Sequence, residues 1–170
     1  PVRRDGVDAV LFVGVGDESQ RSLRKAAAAA VRKASSYKSL GTSLTAGRDG
    51  PAVRAIAEAL GLAAYKFAKP DGKPPTLKRA KLVVDDPNAV KADLAAAKAV
   101  ITAVCRARDL ANTPSLIKTP AWLAAQAQEA CEAAGVTVSV RDVKQLTDEG
   151  FGGVLAVGQG SAQPPKFVEM

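Results

Sequence analysis

A chain of 170 residues with 47% hydrophobic and 24% charged residues has the make-up of a protein that folds in water, long enough for one domain or for one domain and part of a second. No run approaches the roughly 18 uninterrupted apolar residues of a membrane span, and Pro1 to Asp8 lacks the apolar centre of a secretory signal, so cytoplasmic residence is expected. Histidine is absent, which removes the usual general base of Ser and Cys hydrolases, and the net charge of +7 lies wholly in residues 1 to 87, where 16 Lys or Arg face 9 Asp or Glu.

Ala9 to Val13 is a continuous apolar run closed by Gly14, Val15 and Gly16, the pattern of a strand buried on both faces of an α/β sheet. A helix is expected from about Ser19 to Ala34, with Leu23, Ala27, Ala30, Val31 and Ala34 on one face and most of the charge on the other. Ser39 to Ala46 is a weaker strand; Asp49 then caps a helix carrying Val53, Ile56, Ala57, Leu60, Ala64 and Phe67, whose second half Gly61 weakens. Three prolines and a glycine between Lys69 and Pro75 mark a loop, and Lys81 to Val84 reads as the next strand.

Asp85 or Asp86 caps a long helix with Pro87 in its first turn, running about 24 residues, or about 36 Å, to a stop at Asn112, Thr113 and Pro114. Thr119 and Pro120 open another helix, which Gly135 ends, and Val136, Val138 and Val140 alternate as a half-buried strand. A helical turn follows near Val143 to Glu149, then Val154 to Val157 among glycines, best read as close strand packing, and strand character returns at Lys166 to Met170. Cys105 and Cys131 lie in alanine-rich helical patterns and read as buried free thiols.

Each candidate for chemistry has a plainer structural reading. Gly14 and Gly16 before a helix suggest a dinucleotide fingerprint, but its third glycine is Ser19, Asp17 and Glu18 put negative charge where phosphate belongs, and a tight strand-to-helix turn suffices. The cations Lys66, Lys69, Lys73, Lys78, Arg79 and Lys81, extended by the basic helix from Arg21 to Lys33, are the basis for an alternative function, a DNA-binding module; only Tyr65 and Phe67 offer stacking nearby. The adjacent pairs Asp85–Asp86 and Asp148–Glu149 point in different directions, Gly152 to Ser161 lacks the Lys and Ser or Thr of a phosphate loop, and Ser161 has no histidine base.

Arg108, Asp109, Leu110, Asn112, Thr113 and Pro114, then Thr119 and Pro120, resemble the entry segment of leucyl (cytosol) aminopeptidases. The run Phe151, Gly152, Gly153, Val154, Leu155, Ala156, Val157, Gly158, Gly160, Ser161, Pro164 and Pro165 is similar to the same family, and Ala57, Leu60, Gly61 and Tyr65 fit it more loosely. The resemblance implies an α/β fold: a macro-domain-like N-terminal domain over residues 1–84, a mixed sheet flanked by helices; a connecting helix over 85–112; and the beginning of an α/β catalytic domain over 113–170. It also implies a homohexameric exopeptidase acting on peptides with two divalent metal ions, manganese or zinc, which polarise the scissile carbonyl and activate water. The family's first strands would precede Pro1, and its metal ligands, catalytic lysine and arginine would follow Met170, so no catalytic, metal or cofactor residue is expected here and the portion is read as a scaffold for oligomer assembly. An ADP-ribose module is a further alternative, resting on fold analogy alone.

Overall fold

The computed structural model describes residues 6–67 and 75–170, so the expected loop from Lys69 to Pro75 lies almost entirely outside the described residues. The chain divides into two compact units, Pro1–Asn112 and Thr113–Met170.

The first unit is built around two helices. In α1, Gln20–Lys33, the Ser19 hydroxyl caps the start by accepting from the Ser22 amide, and in α2, Gly50–Ala64, the Asp49 carboxylate does the same for Ala52 with Pro51 in the first turn. Leu23, Ala27 and Val31 of α1 are buried against Ile56, Ala59 and Leu60 of α2. The alanines leave room for the helices to approach closely, so the core is rich in backbone-near contacts and holds few large side chains.

Beside this pair lies a parallel two-stranded sheet of β1, Ser39–Thr42, and β2, Arg79–Leu82, with Leu40 opposite Ala80 and Thr42 opposite Leu82. Leu40 and Leu82 face the helical core, whereas Arg79 and Lys81 are exposed. A parallel pair needs a crossover, and α2 supplies it. The third helix, α3, spans Lys91–Asn112 and packs on α2. Gly61 is what permits this: a Cβ there would lie 2.5 Å from Ile101 Cδ1, so the glycine that weakens α2 by propensity lets α3 sit close, and α2 continues to Ala64.

Several expectations need correction in this unit. Ala9 to Val13 forms no ladder; Phe12 is 82% exposed, Leu11 is exposed, and only Val15 reaches the core cluster. Burial on both faces requires a layer on each side of a strand, and the described residues supply none for this one. The strand expected to reach Ala46 stops at Thr42, because the Thr42 hydroxyl accepts from the Leu44 amide and starts a turn that ends at Gly47 with φ +66°. The long helix starts at Lys91: residues 87–90 form a turn in which the Asp86 carboxylate accepts from the Asn88 amide, so the aspartate organises that turn and not the first turn of α3. The expected α/β class holds, its strands forming, among the described residues, one parallel pair in this unit and one separate antiparallel pair in the second.

The second unit contains α4, Pro120–Ala133; β3, Ser139–Arg141; α5, Val143–Asp148; α6, Gly152–Gly158; and β4, Phe167–Glu169. Thr119 caps α4 by accepting from the Trp122 amide, and Gly135 follows the helix with φ +76°. Asp142 and Gln145 form a reciprocal capping box at α5. β3 pairs antiparallel with β4, Val140 opposite Val168, and Arg141 ties the region together through Glu149 at 2.6 Å and Glu169 at 2.8 Å. Val136 is exposed and outside the strand.

The segment Val154 to Val157 is helical, contrary to the strand packing expected of it. Four apolar residues in a row carry neither helical nor strand period. The helix is short, and Gly158 ends it where Pro165 packs so closely that a Cβ would lie 2.7 Å from Pro165 Cγ. The cysteines are free, as expected, but half-buried instead of buried, with Cys131 Sγ 3.3 Å from Met170 Sδ.

Candidate functional site

In parallel α/β folds ligands bind beyond the carboxyl ends of the strands, at helix N-termini, so the turns after Val15, Thr42 and Leu82 are the first place to look. The protein's own side chains occupy them. Asp17 Oδ1 accepts from the Ser19 hydroxyl at 2.7 Å and the Ser19 amide at 3.1 Å. Hydrogen bonding from Ser22 and then from Ser19 lowers the Asp17 carboxyl from its ordinary 3.8 to about 2. Glu18, at φ +57°, binds Arg48 at 3.2 Å, and Arg48 Nε donates to the Leu44 carbonyl at 2.8 Å. The Thr45 hydroxyl donates to the Val83 carbonyl at 2.7 Å, and the Gly47 amide to Asp85 at 3.4 Å.

These contacts tie the three turns to one another and place carboxylates where a phosphate would sit. An added Cβ at Gly14 meets nothing within 4 Å, so no packing neighbour requires a glycine there. A tight turn into α1 is the reading the geometry supports, although no strand precedes it among the described residues. A direct check is the Asp17 titration: its depressed value means that the cap's contribution is complete above the ordinary 3.8 and is lost as pH falls through about 2. Carboxyl NMR should show that inflection, and an inflection at 3.8 would show that the turn does not form in solution.

The other sequence candidates are dispersed. Asp85 reaches Gly47 while Asp86 turns to Asn88; Asp148 pairs with Lys144 at 2.8 Å while Glu149 pairs with Arg141. Neither adjacent pair converges on a common point, so neither has acid–base geometry. Ser161 Oγ accepts from the Gln163 amide and has no base beside it. Lys66, Lys78, Arg79 and Lys81 are exposed, whereas Lys69 and Lys73 lie outside the described residues. Tyr65, offered above as a stacking partner for bases, has its ring under Arg108, 5.3 Å from the guanidinium carbon.

Two clusters escaped the candidate list. Glu58 is buried between Arg24 at 2.8 Å and Arg54 at 2.9 Å, tying α1 to α2; the Arg54 hydrogen bond first, then Arg24, lowers its carboxyl against the penalty of burial. The Arg54–Glu58 spacing of four residues was visible in the sequence, but the Arg24 partner was not.

The second cluster gathers the motif around Arg108. The Tyr65 hydroxyl donates to Asp109 at 2.8 Å and accepts from Asn112 at 3.2 Å, and Arg108 Nη1 donates to the Leu62 carbonyl at 2.8 Å at the end of α2. Burial is the main cause raising the Tyr65 phenol above its ordinary value of 10, and Asp109 adds to it. Arg108, Asp109 and Asn112 therefore act within the first unit, on α2.

A metal site needs several converging donors. Among the described residues no group of three or more His, Cys, Asp or Glu is placed to hold a metal ion. None of their helices is long and apolar enough to cross a membrane.

Two family models match the chain in order: the N-terminal domain of the cytosol aminopeptidase family over residues 2–70, and its catalytic domain over residues 105–170. Relatives named probable cytosol aminopeptidase include one from Rhodococcus erythropolis, 36% identical over 96% of this chain and 34% of its own length, and one from Nocardia farcinica, 35% identical over 100% and 35%. One from Mycobacterium ulcerans is 38% identical over 96% and 33%. The chain thus spans about a third of the length of the curated relatives it matches. Among solved structures, the bottromycin maturation enzyme BotP is similar at a TM-score of 0.76 and 33% identity, covering 92% of this chain and 35% of that one, and it has also been solved in complex with Mn. A tomato leucine aminopeptidase mutant matches at a TM-score of 0.72 and 23% identity, over 88% of this chain and 32% of that one, a likeness of fold.

Proposed function

The chain belongs to the cytosol aminopeptidase family, and from that premise we propose that it forms the N-terminal portion of a metal-dependent leucyl aminopeptidase that removes N-terminal amino acids from peptides, a portion that serves as scaffold. The observation that carries this reading is the order of the two matched spans, N-terminal domain and then the start of the catalytic domain, in one chain of the matching fold. The whole enzyme is a cytoplasmic homohexamer with two divalent metal ions, manganese or zinc. Such ions polarise the carbonyl under attack and activate water when bound. The described residues do not fit them: donors are scattered in separate ion pairs, and histidine is absent from the sequence.

The residues of this portion have other tasks in this reading. The α1–α2 core and the Glu58 bridge make a rigid block, residues 1–84 form the macro-like domain, 85–112 the connection and 113–170 the opening of the catalytic domain. Expected of the purified chain is no turnover of a leucine anilide in the presence of manganese. Turnover that survives chelator-sensitive controls for contaminating peptidase would end the scaffold reading, because the metal and base would then have to come from these 170 residues.

A further inference from the structure

Within the first unit, the C-terminal ends of α1 and α2 and the residues leading into β2 surround a half-open cavity of about 140 Å³. Its floor is apolar. Val31 belongs to the core cluster, and Ala63, Ala64 and Leu77 pack against that cluster, so the floor is the outer surface of the core and is held in shape by it. Pro75 adds an apolar wall. Three polar side chains complete the lining: the Arg32 guanidinium, the Lys66 ammonium and the Ser35 hydroxyl. Both cations are exposed, and among the described residues neither pairs with a carboxylate. Helix stability does not account for the two of them. Arg32 shares with Lys33 the task of offsetting the α1 dipole, whereas Lys66 lies beyond the last turn of α2, which holds no cation.

We propose that this cavity binds a small monocarboxylate with an apolar body, its charge at Arg32 and Lys66 and its body on the floor between the helix ends. An apolar cavity of about 150 Å³ accepts benzene, so the volume suits a benzoate-sized acid. The fork of a guanidinium matches the two oxygens of a carboxylate, an ammonium adds a point charge, and a hydroxyl can donate a further hydrogen bond. No acidic side chain lines the cavity, so the ammonium of a free amino acid finds no counter-ion there. A nucleotide exceeds the space, and no aromatic ring in the lining would stack its base. The site stands apart from the aminopeptidase reading and does not depend on it.

Titration of the full 170-residue chain with benzoate at pH 7 and constant ionic strength, followed by amide NMR, tests the assignment. Amides of Val31, Ser35, Ala63, Ala64 and Leu77 should shift together and saturate with a midpoint of about 1–10 mM, as befits a ligand of so few atoms, while those of Arg79 and Lys81 stay in place. Lys66→Gln removes one charge at an exposed position and should raise the midpoint by about five-fold. Arg32→Gln, also exposed, should do the same and guards against a local defect in the first variant. The proposal is overturned if the shifts rise linearly without saturating, if benzyl alcohol or inorganic phosphate gives the same shifts at the same midpoint, or if neither substitution moves the midpoint. Benzyl alcohol tests the apolar body without the charge, and phosphate the charge without the body.

Discussion

Replacing Ile56 by alanine is expected to lower the stability of the first unit by about 3 kcal/mol, measured as the shift in the urea midpoint followed by circular dichroism. Ile56 has no exposed surface and packs within the cluster formed by Leu23, Ala27, Val31, Ala59 and Leu60. Removing its outer carbons forfeits transfer energy of about 0.8 kcal/mol for each methylene-sized group and leaves a cavity between two helices that already touch through alanine and cannot close further. The better helix propensity of alanine offsets only about 0.4 kcal/mol of that. The informative partner is Phe12→Ala. A phenylalanine buried in a sheet would cost as much as Ile56 or more, whereas one that is 82% exposed should change stability by less than about 0.5 kcal/mol. Equal costs at the two positions would mean that the segment from Ala9 to Val13 is covered in solution by a layer that the described residues do not contain.

That pair of substitutions separates what local sequence specifies from what it does not. The helix starts at Ser19, Asp49 and Thr119 were legible because capping chemistry acts within three residues, and each side chain accepts from the expected amide. The burial of Ala9 to Val13 was not legible, since apolar character states a demand for cover and cannot state whether the cover is there. Val154 to Val157 was misread because four apolar residues fit either period, and the decision fell to glycine placement and the approach of Pro165. Gly61 reads as a weak point from propensity and turns out to be the contact with Ile101, a partner forty residues away. The candidate site shows the same division. The acidic turn at Asp17 and Glu18 already argued against phosphate, whereas the Arg108 motif was noticeable only by resemblance; that its partners are Leu62 and Tyr65 required the packing of α3 on α2.

The second large effect expected is a difference in protection between the two units of the chain. In residues 113–170 the buried apolar side chains are Ala124 and Leu146, while Leu116 is 92% exposed and Val157 87%. The first unit, by contrast, buries Leu23, Val31, Val53, Ile56, Leu60 and Val90 together with a series of alanines. Small folded units are marginal because ordering each residue costs about 1–2 kcal/mol, and burial of apolar surface must offset it. The second unit has good local devices, namely the Asp142 capping box, the Phe151–Phe167 ring contact at 5.2 Å and the Arg141 ion pairs, but these are local contacts, the ion pairs screened by solvent, and none replaces a core. Amides of α4, α5 and α6 should therefore exchange at least about 100-fold faster than those in the middle of α1 and α2 when the 170-residue chain is studied alone, a gap of about 2.7 kcal/mol in opening free energy. Slow exchange at Leu146 matching that at Ile56 would contradict this, because it would require burial that the second unit does not have by itself.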